Sequence, residues 1–345
     1  LSSSFPDFYG NPDVAATLRQ MLDAGRIPQT ILLAGPHGVG KATLARRFGA
    51  ALLGEASKIE ADDLSIKVNQ ETIAEREKLP SDKRADDPFH LSSHPDFLTF
   101  PPDGPLRQIS IQQIRLLKER AQFQPLKGKH RIFLIDQIDR ANEQAANSLL
   151  KILEEPPPYL ILIATAENPY DLLPTIRSRS MIFNMRRLEA AEMQQFVKQR
   201  GLDHPARRLA LANGCPGSAV SIDIESYDKR REAMLKLLET GAGKAQFADW
   251  SRYSESIAMR KTEKLEDQLF VLYDLLEDLL LVQQGRASLR NPDIENQLRP
   301  LANQVSFEWI RKTVARIDEI NELVRRNIQK NIALDALALE LRSMG

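Results

Sequence analysis

Short apolar runs alternate with stretches of helical periodicity through the first half of the chain. Residues 31–34 (Ile-Leu-Leu-Ala) run into Gly35 and are followed at once by a helical segment over 41–53. A second buried strand is expected over 131–136 and a third over 160–164, both too short for helices and rich in branched residues. Between them, 142–155 carries Ala146, Leu149, Leu150 and Leu153 at helical spacing and stops at Pro156-Pro157-Pro158. Strands and helices in this alternation predict a parallel sheet with helical crossovers.

The pattern changes twice. Residues 54–93 are polar, rich in both charge signs and poor in large apolar side chains, which predicts a surface insertion with a short helix near 66–78. After about residue 186 strand-like runs end. A small helical unit closes on the turn-forming Asn213-Gly214-Cys215-Pro216-Gly217, and longer helices follow. Leu265, Leu269, Leu272, Leu276 and Leu280 fall on one helical face, as do Trp309, Val314, Ile317 and Ile320. The expected division is an α/β core over 1–186, a small helical lid over 187–224 and an all-helical domain over 225–345.

Composition narrows the function classes. With 345 residues, 42% of them hydrophobic, the chain has ample material for a buried core. Lys+Arg and Asp+Glu both count 47, so any contact with DNA must be local rather than driven by an overall basic field. Cys215 is the one cysteine, which excludes an internal disulfide framework and a thiolate zinc cluster and suits a reducing cytoplasm. Even the richest apolar run, 275–282, is interrupted by Glu277 and Asp278, so no membrane span is expected. The chain begins at Leu1 with no basic or apolar leader, and the missing methionine leaves its true N-terminus open.

Candidate chemistry begins at Gly35-Pro36-His37-Gly38-Val39-Gly40-Lys41, which matches G-x-x-x-x-G-K between a predicted strand and a predicted helix. Glycines there let backbone N–H groups turn around phosphate oxygens, and Lys41 adds a full charge. The next position, where a hydroxyl would ligate magnesium, is Ala42; Thr43 comes one residue later, about 100° around the helix. Asp136 stands where a carboxylate would support a magnesium shell, but its neighbour is Gln137, whose amide can orient a water and cannot take its proton. Together these replacements point to a nucleotide site that does not hydrolyse. The alternative is weak hydrolysis with Asp139 or another carboxylate in the vacant role. Further on, Arg179 in Arg177-Ser178-Arg179-Ser180 is either a solvated turn residue or a guanidinium of the kind supplied to a neighbouring subunit's γ-phosphate.

Taken in order, these residues resemble the bacterial clamp-loader branch of the AAA+ ATPases. The likeness runs through Gly10-Asn11, Gly25-Arg26-Ile27-Pro28, the phosphate loop, His94-Pro95-Asp96 and the segment 109–115. It continues through the strand ending at Asp136, the string LLKILEEPP over 149–157, and Ile176-Arg177-Ser178-Arg179. The segment 331–337 looks like the family's C-terminal signature. Three departures stand out. Residues 54–93 lack the family's four-cysteine zinc module, leaving only His90 and His94, so zinc is not expected. The family's SRC motif is Ser178-Arg179-Ser180, and the sensor-2 arginine is absent near Gly217-Ser218.

The resemblance implies an AAA+ P-loop core, a helical lid and a C-terminal collar. It implies a non-motor subunit of a hetero-pentamer with motor (gamma/tau) and delta subunits, which places a sliding clamp on primer-template DNA. ATP or ADP can sit at Gly35, Gly38, Val39, Gly40, Lys41, Ala42, Thr43 and Asp136, with magnesium coordination weakened. Arg179 would act in trans on a neighbour's ATP, and an active gamma/tau-type ATPase is the alternative. The helix opening at Ser110, with Gln112 and Arg115, is a candidate DNA contact.

Overall fold

The computed structural model describes residues 4–259, 264–286, 288–324 and 329–344; Leu1 lies outside them. The chain divides into two compact units, Leu1–Asp203 with Gly214–Ser221 and His204–Asn213 with Ile222–Gly345. The sequence had grouped 187–224 as one small lid; here its parts are shared between the two units.

The first unit is built on β1 Thr30–Ala34, β2 Leu91–His94, β3 Phe97–Phe100, β4 Arg131–Ile135, β5 Leu160–Ala166 and β6 Met181–Asn184. Their order is β2-β3-β4-β5-β1-β6, and every neighbouring pair is parallel except β2 against β3. Strands β1, β4 and β5 are buried along their whole length. Leu32, Phe133 and Leu162 face a core shared with the helices Ile111–Ala121 and Glu143–Glu154. Ile31, Leu33, Ile132, Leu134, Ile161 and Ile163 face the opposite core, shared with Pro12–Asp23 and Lys41–Leu53. A strand buried on both faces reads as an unbroken apolar run, which is why these three were visible in the sequence.

The helix Lys41–Leu53 lies close to the sheet because of one small residue. A glycine inside a helix costs about 1 kcal/mol against alanine, yet a Cβ on Gly49 would meet the Phe97 ring at 2.5 Å. Its absence sets the depth at which the helix, and with it the phosphate loop at its N-terminus, rests on the strands.

The expected surface insertion is folded more closely than its polarity suggested. It forms the helices Ala56–Glu60, Lys67–Lys78 and Ser81–Asp86 and then supplies β2, the antiparallel edge of a sheet expected to be all parallel. Charges tie it down where apolar residues are few. The buried Arg46 donates to Glu60 at 3.1 Å and also to Asp63, and the buried Arg76 pairs with Asp103 at 2.8 Å. His94 is buried and its Nδ1 accepts the Asp96 amide at 3.1 Å, while His90 stacks on Phe100.

The second unit is helical. Leu265, Leu269, Leu272 and Leu276 of the helix Leu265–Gln283 are buried in its core with Trp309, Ile317 and Ile320, and Leu280 and Val314 pack at its margin. The signature segment falls in the helix Lys330–Met344, where Leu334 and Leu337 are buried and Asp335 accepts the Trp250 indole N–H at 2.7 Å. Among the described residues no helix is long and apolar enough to cross a membrane.

Candidate functional site

Open parallel sheets bind ligands beyond the carboxyl ends of their strands, and the phosphate loop, Asp136 and Glu167 all lie there. The loop leaves β1 at Gly35, whose φ is +151°, and enters the helix through Gly40 at +105°. Val39 is fully buried and anchors the loop to the core, and its amide donates to the Pro36 carbonyl at 3.3 Å. Lys41 is buried too. Its ammonium folds back and donates to the carbonyls of Gly35 at 2.5 Å and Pro36 at 2.8 Å. Burial pushes its pKa down, against the opposing pull of Glu167, Asp136 and Asp139.

Those three carboxylates are differently committed. Asp136 is buried just past β4, and its Oδ1 accepts the Thr165 hydroxyl at 2.5 Å; the same hydroxyl accepts the Gln137 amide at 2.8 Å. Asp139 Oδ2 accepts the Glu167 amide at 3.3 Å while its Oδ1 is enclosed without a hydrogen bond, and burial raises its pKa. His37 lies 3.6 Å from Glu167, and this imidazole foremost holds the Glu167 carboxyl below its ordinary range.

The returning strip Gly214–Ser221 closes over the loop. The Gly217 amide donates to the Gly38 carbonyl at 2.8 Å, and a Cβ on Gly38, at φ +74°, would meet Ser218 Oγ at 2.3 Å. Gly217 and Ser218 thus occupy the flank of the loop where the sequence lacks an arginine. Cys215 beside them is buried.

The residues present fit phosphate better than they fit a magnesium shell. Gly38, Gly40 and Lys41 keep the backbone turn and the charge. Ala42 has no oxygen to offer, and one oxygen of Asp136 is already bound by Thr165.

Arg179 stands apart, on the turn between the helix Pro174–Arg177 and β6. Its side chain is 34% exposed. It donates to Glu154 Oε1 at 2.8 Å and to the Thr175 carbonyl at 3.0 Å. Arg177 instead lies over the exposed Tyr170 ring, 5.1 Å from its centroid.

At the helix Ile111–Ala121, Ser110 is an N-cap engaged in its own fold. Its hydroxyl accepts the Gln113 amide at 3.3 Å and Gln113 Oε1 accepts the Ser110 amide at 2.9 Å, a capping box. Gln113 further donates to the carbonyls of Phe89 and Pro101. Gln112 is half-buried and Arg115 exposed.

Sequence reasoning had singled out the loop, Asp136 and Arg179, and it missed Thr165, Glu167 and the pairing of Glu154 with Arg179. A threonine inside an apolar run reads as an ordinary strand residue. Glu167 directly follows β5, which runs two residues past the expected 160–164, and could have been found from its place near a strand's carboxyl end.

The family model for DNA polymerase III, delta subunit, matches residues 10–189. The DNA polymerase III subunit gamma/tau of Mycobacterium tuberculosis is 31% identical over 227 residues, 65% of this chain and 33% of that protein. The chain thus spans about a third of the length of that relative. The Escherichia coli DNA polymerase III subunit delta' is 25% identical over 241 residues, 68% of this chain and 69% of that one. A solved structure, a DNA polymerase III gamma-subunit-related protein of Thermotoga maritima, matches with TM-score 0.45 and 19% identity over 94% of this chain and 98% of that one.

Proposed function

Because the chain belongs to the DNA polymerase III delta-subunit family of clamp-loader proteins, we propose that it is a non-motor, delta-prime-type subunit of a replicative clamp loader. In this reading it sits in a hetero-pentamer with motor (gamma/tau) and delta subunits that places the sliding clamp on primer-template DNA. Its chemical contribution is Arg179, offered across an interface to a neighbour's ATP site, where a fixed guanidinium stabilises charge on the transferring phosphoryl group. Fingers of this kind are worth about 10³ to 10⁵ in rate.

The observation that carries the reading is a contrast between two sites on one unit. The Arg179 side chain is 34% exposed and held at the surface, while the chain's own phosphate site lacks a hydroxyl at Ala42, after the loop, and a carboxylate at Gln137, after β4. Gly38, Gly40 and Lys41 would hold the phosphates of ATP or ADP without turning them over. The test is Arg179→Ala in the reconstituted loader. DNA-stimulated hydrolysis at the site it serves is expected to fall by about 10³-fold or more, the range of finger deletions, with folding and assembly intact. Unchanged hydrolysis rejects the assignment.

A second reading is a gamma/tau-type ATPase, favoured by the carboxylates of Asp139 and Glu167 near Lys41. It requires magnesium-dependent turnover by the isolated chain that Lys41→Ala abolishes.

A further inference from the structure

The helix Glu143–Glu154 ends against a local rule. A helix C-terminus carries partial negative charge and favours cations, yet its last residue is Glu154 and its C-cap is Glu155, with Lys151 as the basic residue of that turn. The Glu154 carboxylate reaches beyond its own helix to Arg179, 25 residues later, at 2.8 Å. From the other side, the Thr175 carbonyl accepts from the same guanidinium at 3.0 Å. Nη1 also lies 3.5 Å from the Ser178 hydroxyl, and the side chain as a whole is 34% exposed.

We infer that Glu154 is a positioning residue for Arg179. The inference rests on reading Arg179 as a finger that acts in trans. An unrestrained arginine samples many rotamers, and that freedom is lost when it engages a phosphate. Pinned between a carboxylate and a carbonyl on two rigid elements, the guanidinium is ordered before the neighbour arrives, with N–H groups left over for the partner's phosphate. The pairing is charge-assisted and directional. Effects that appear only once the transferring group is engaged belong to kcat rather than to KM.

The experiment uses the loader reconstituted from full-length subunits, with DNA-stimulated ATP hydrolysis, ring assembly and thermal unfolding all measured. Glu154→Ala is expected to lower kcat about 10-fold at unchanged KM for ATP, with assembly and melting temperature preserved. Glu154→Gln, which keeps an acceptor oxygen at the same reach, recovers part of that loss, to within about 3-fold of the parent. Combined with Arg179→Ala, Glu154→Ala has no further effect, because it acts only through the guanidinium. If Arg179→Ala collapses hydrolysis while Glu154→Ala leaves kcat unchanged or raises it, the positioning role is overturned and the finger stands. A Glu154→Ala defect that persists in the Arg179→Ala background also overturns it, as does a defect expressed in assembly. If Arg179→Ala itself does nothing, the finger falls and the inference with it.

Discussion

The Gly217 amide donates to the Gly38 carbonyl at 2.8 Å, and a Cβ on Gly217 would lie 2.8 Å from that same oxygen. Two backbones therefore meet with no room for a methyl group between them. In an ordinary helix, glycine to alanine gains about 1 kcal/mol. Here Gly217→Ala is expected to lose about 1–2 kcal/mol, because the contact must open to admit the new carbon. Thermal unfolding of the full chain checks the sign, and a raised melting temperature would contradict the packing described.

In the proposed reading the phosphate loop is passive for more than one reason, so repairing one is expected to leave it passive. Gln137→Glu is expected to leave magnesium-dependent phosphate release by the isolated chain at background. Ala42 still offers no ligand and Asp136 still accepts from Thr165. Ala42→Thr together with Gln137→Glu is the smallest change with a chance of restoring turnover. Release from the Gln137→Glu variant alone would show that the loop already holds a working metal site.

In the second unit, Asp274 is buried, accepts the Tyr227 hydroxyl at 3.1 Å and pairs with Arg290 at 3.0 Å. Burial outweighs the arginine and pushes its pKa up to about 6. The native state thus holds this proton more tightly than the unfolded chain. Its contribution to stability is complete below about pH 4 and is lost as pH rises through about 6, by at most about 3 kcal/mol. Asp274→Asn removes that slope. Urea unfolding of parent and variant at several pH values between 4 and 7 should show the parent losing ground as pH rises, and a constant difference would exclude the effect.

Ser110 and Arg115 are expected to separate cleanly. Ser110→Ala breaks the capping box and costs about 1 kcal/mol of stability, so any loss of DNA binding it causes follows from the helix end. Arg115→Ala leaves the melting temperature in place. If Arg115 meets a phosphate, the salt dependence of DNA binding by the reconstituted loader falls by about one unit of slope. An unaltered slope removes Arg115 from the DNA contact.

What the sequence made legible follows from burial. Strands β1, β4 and β5 are enclosed on both faces, and the helices Lys41–Leu53 and Glu143–Glu154 carry one apolar stripe, so each left an unmistakable pattern. Strands β2, β3 and β6 did not. Leu91–His94 is half polar because it forms the edge, Phe97–Phe100 is four residues closed by Pro101-Pro102, and Met181–Asn184 is largely exposed. At the site, the loop and Asp136 are local in sequence and were readable. The clasp of Gly38 by Gly217 and the pinning of Arg179 by Glu154 join segments far apart in the chain, and no local pattern encodes a partner at that distance.

The path of the backbone has its own consequence. Residues His204–Asn213 go to the helical unit before Gly214–Ser221 return to the sheet, so no one scission separates the two bodies. A fragment stopping at Asp203 would forfeit the strip that lies on the phosphate loop, and a fragment starting at Ile222 would forfeit a helix of the other body. Dissection of this protein by limited proteolysis or truncation must respect that braid, and loss of function in such fragments speaks first to missing strands of chain.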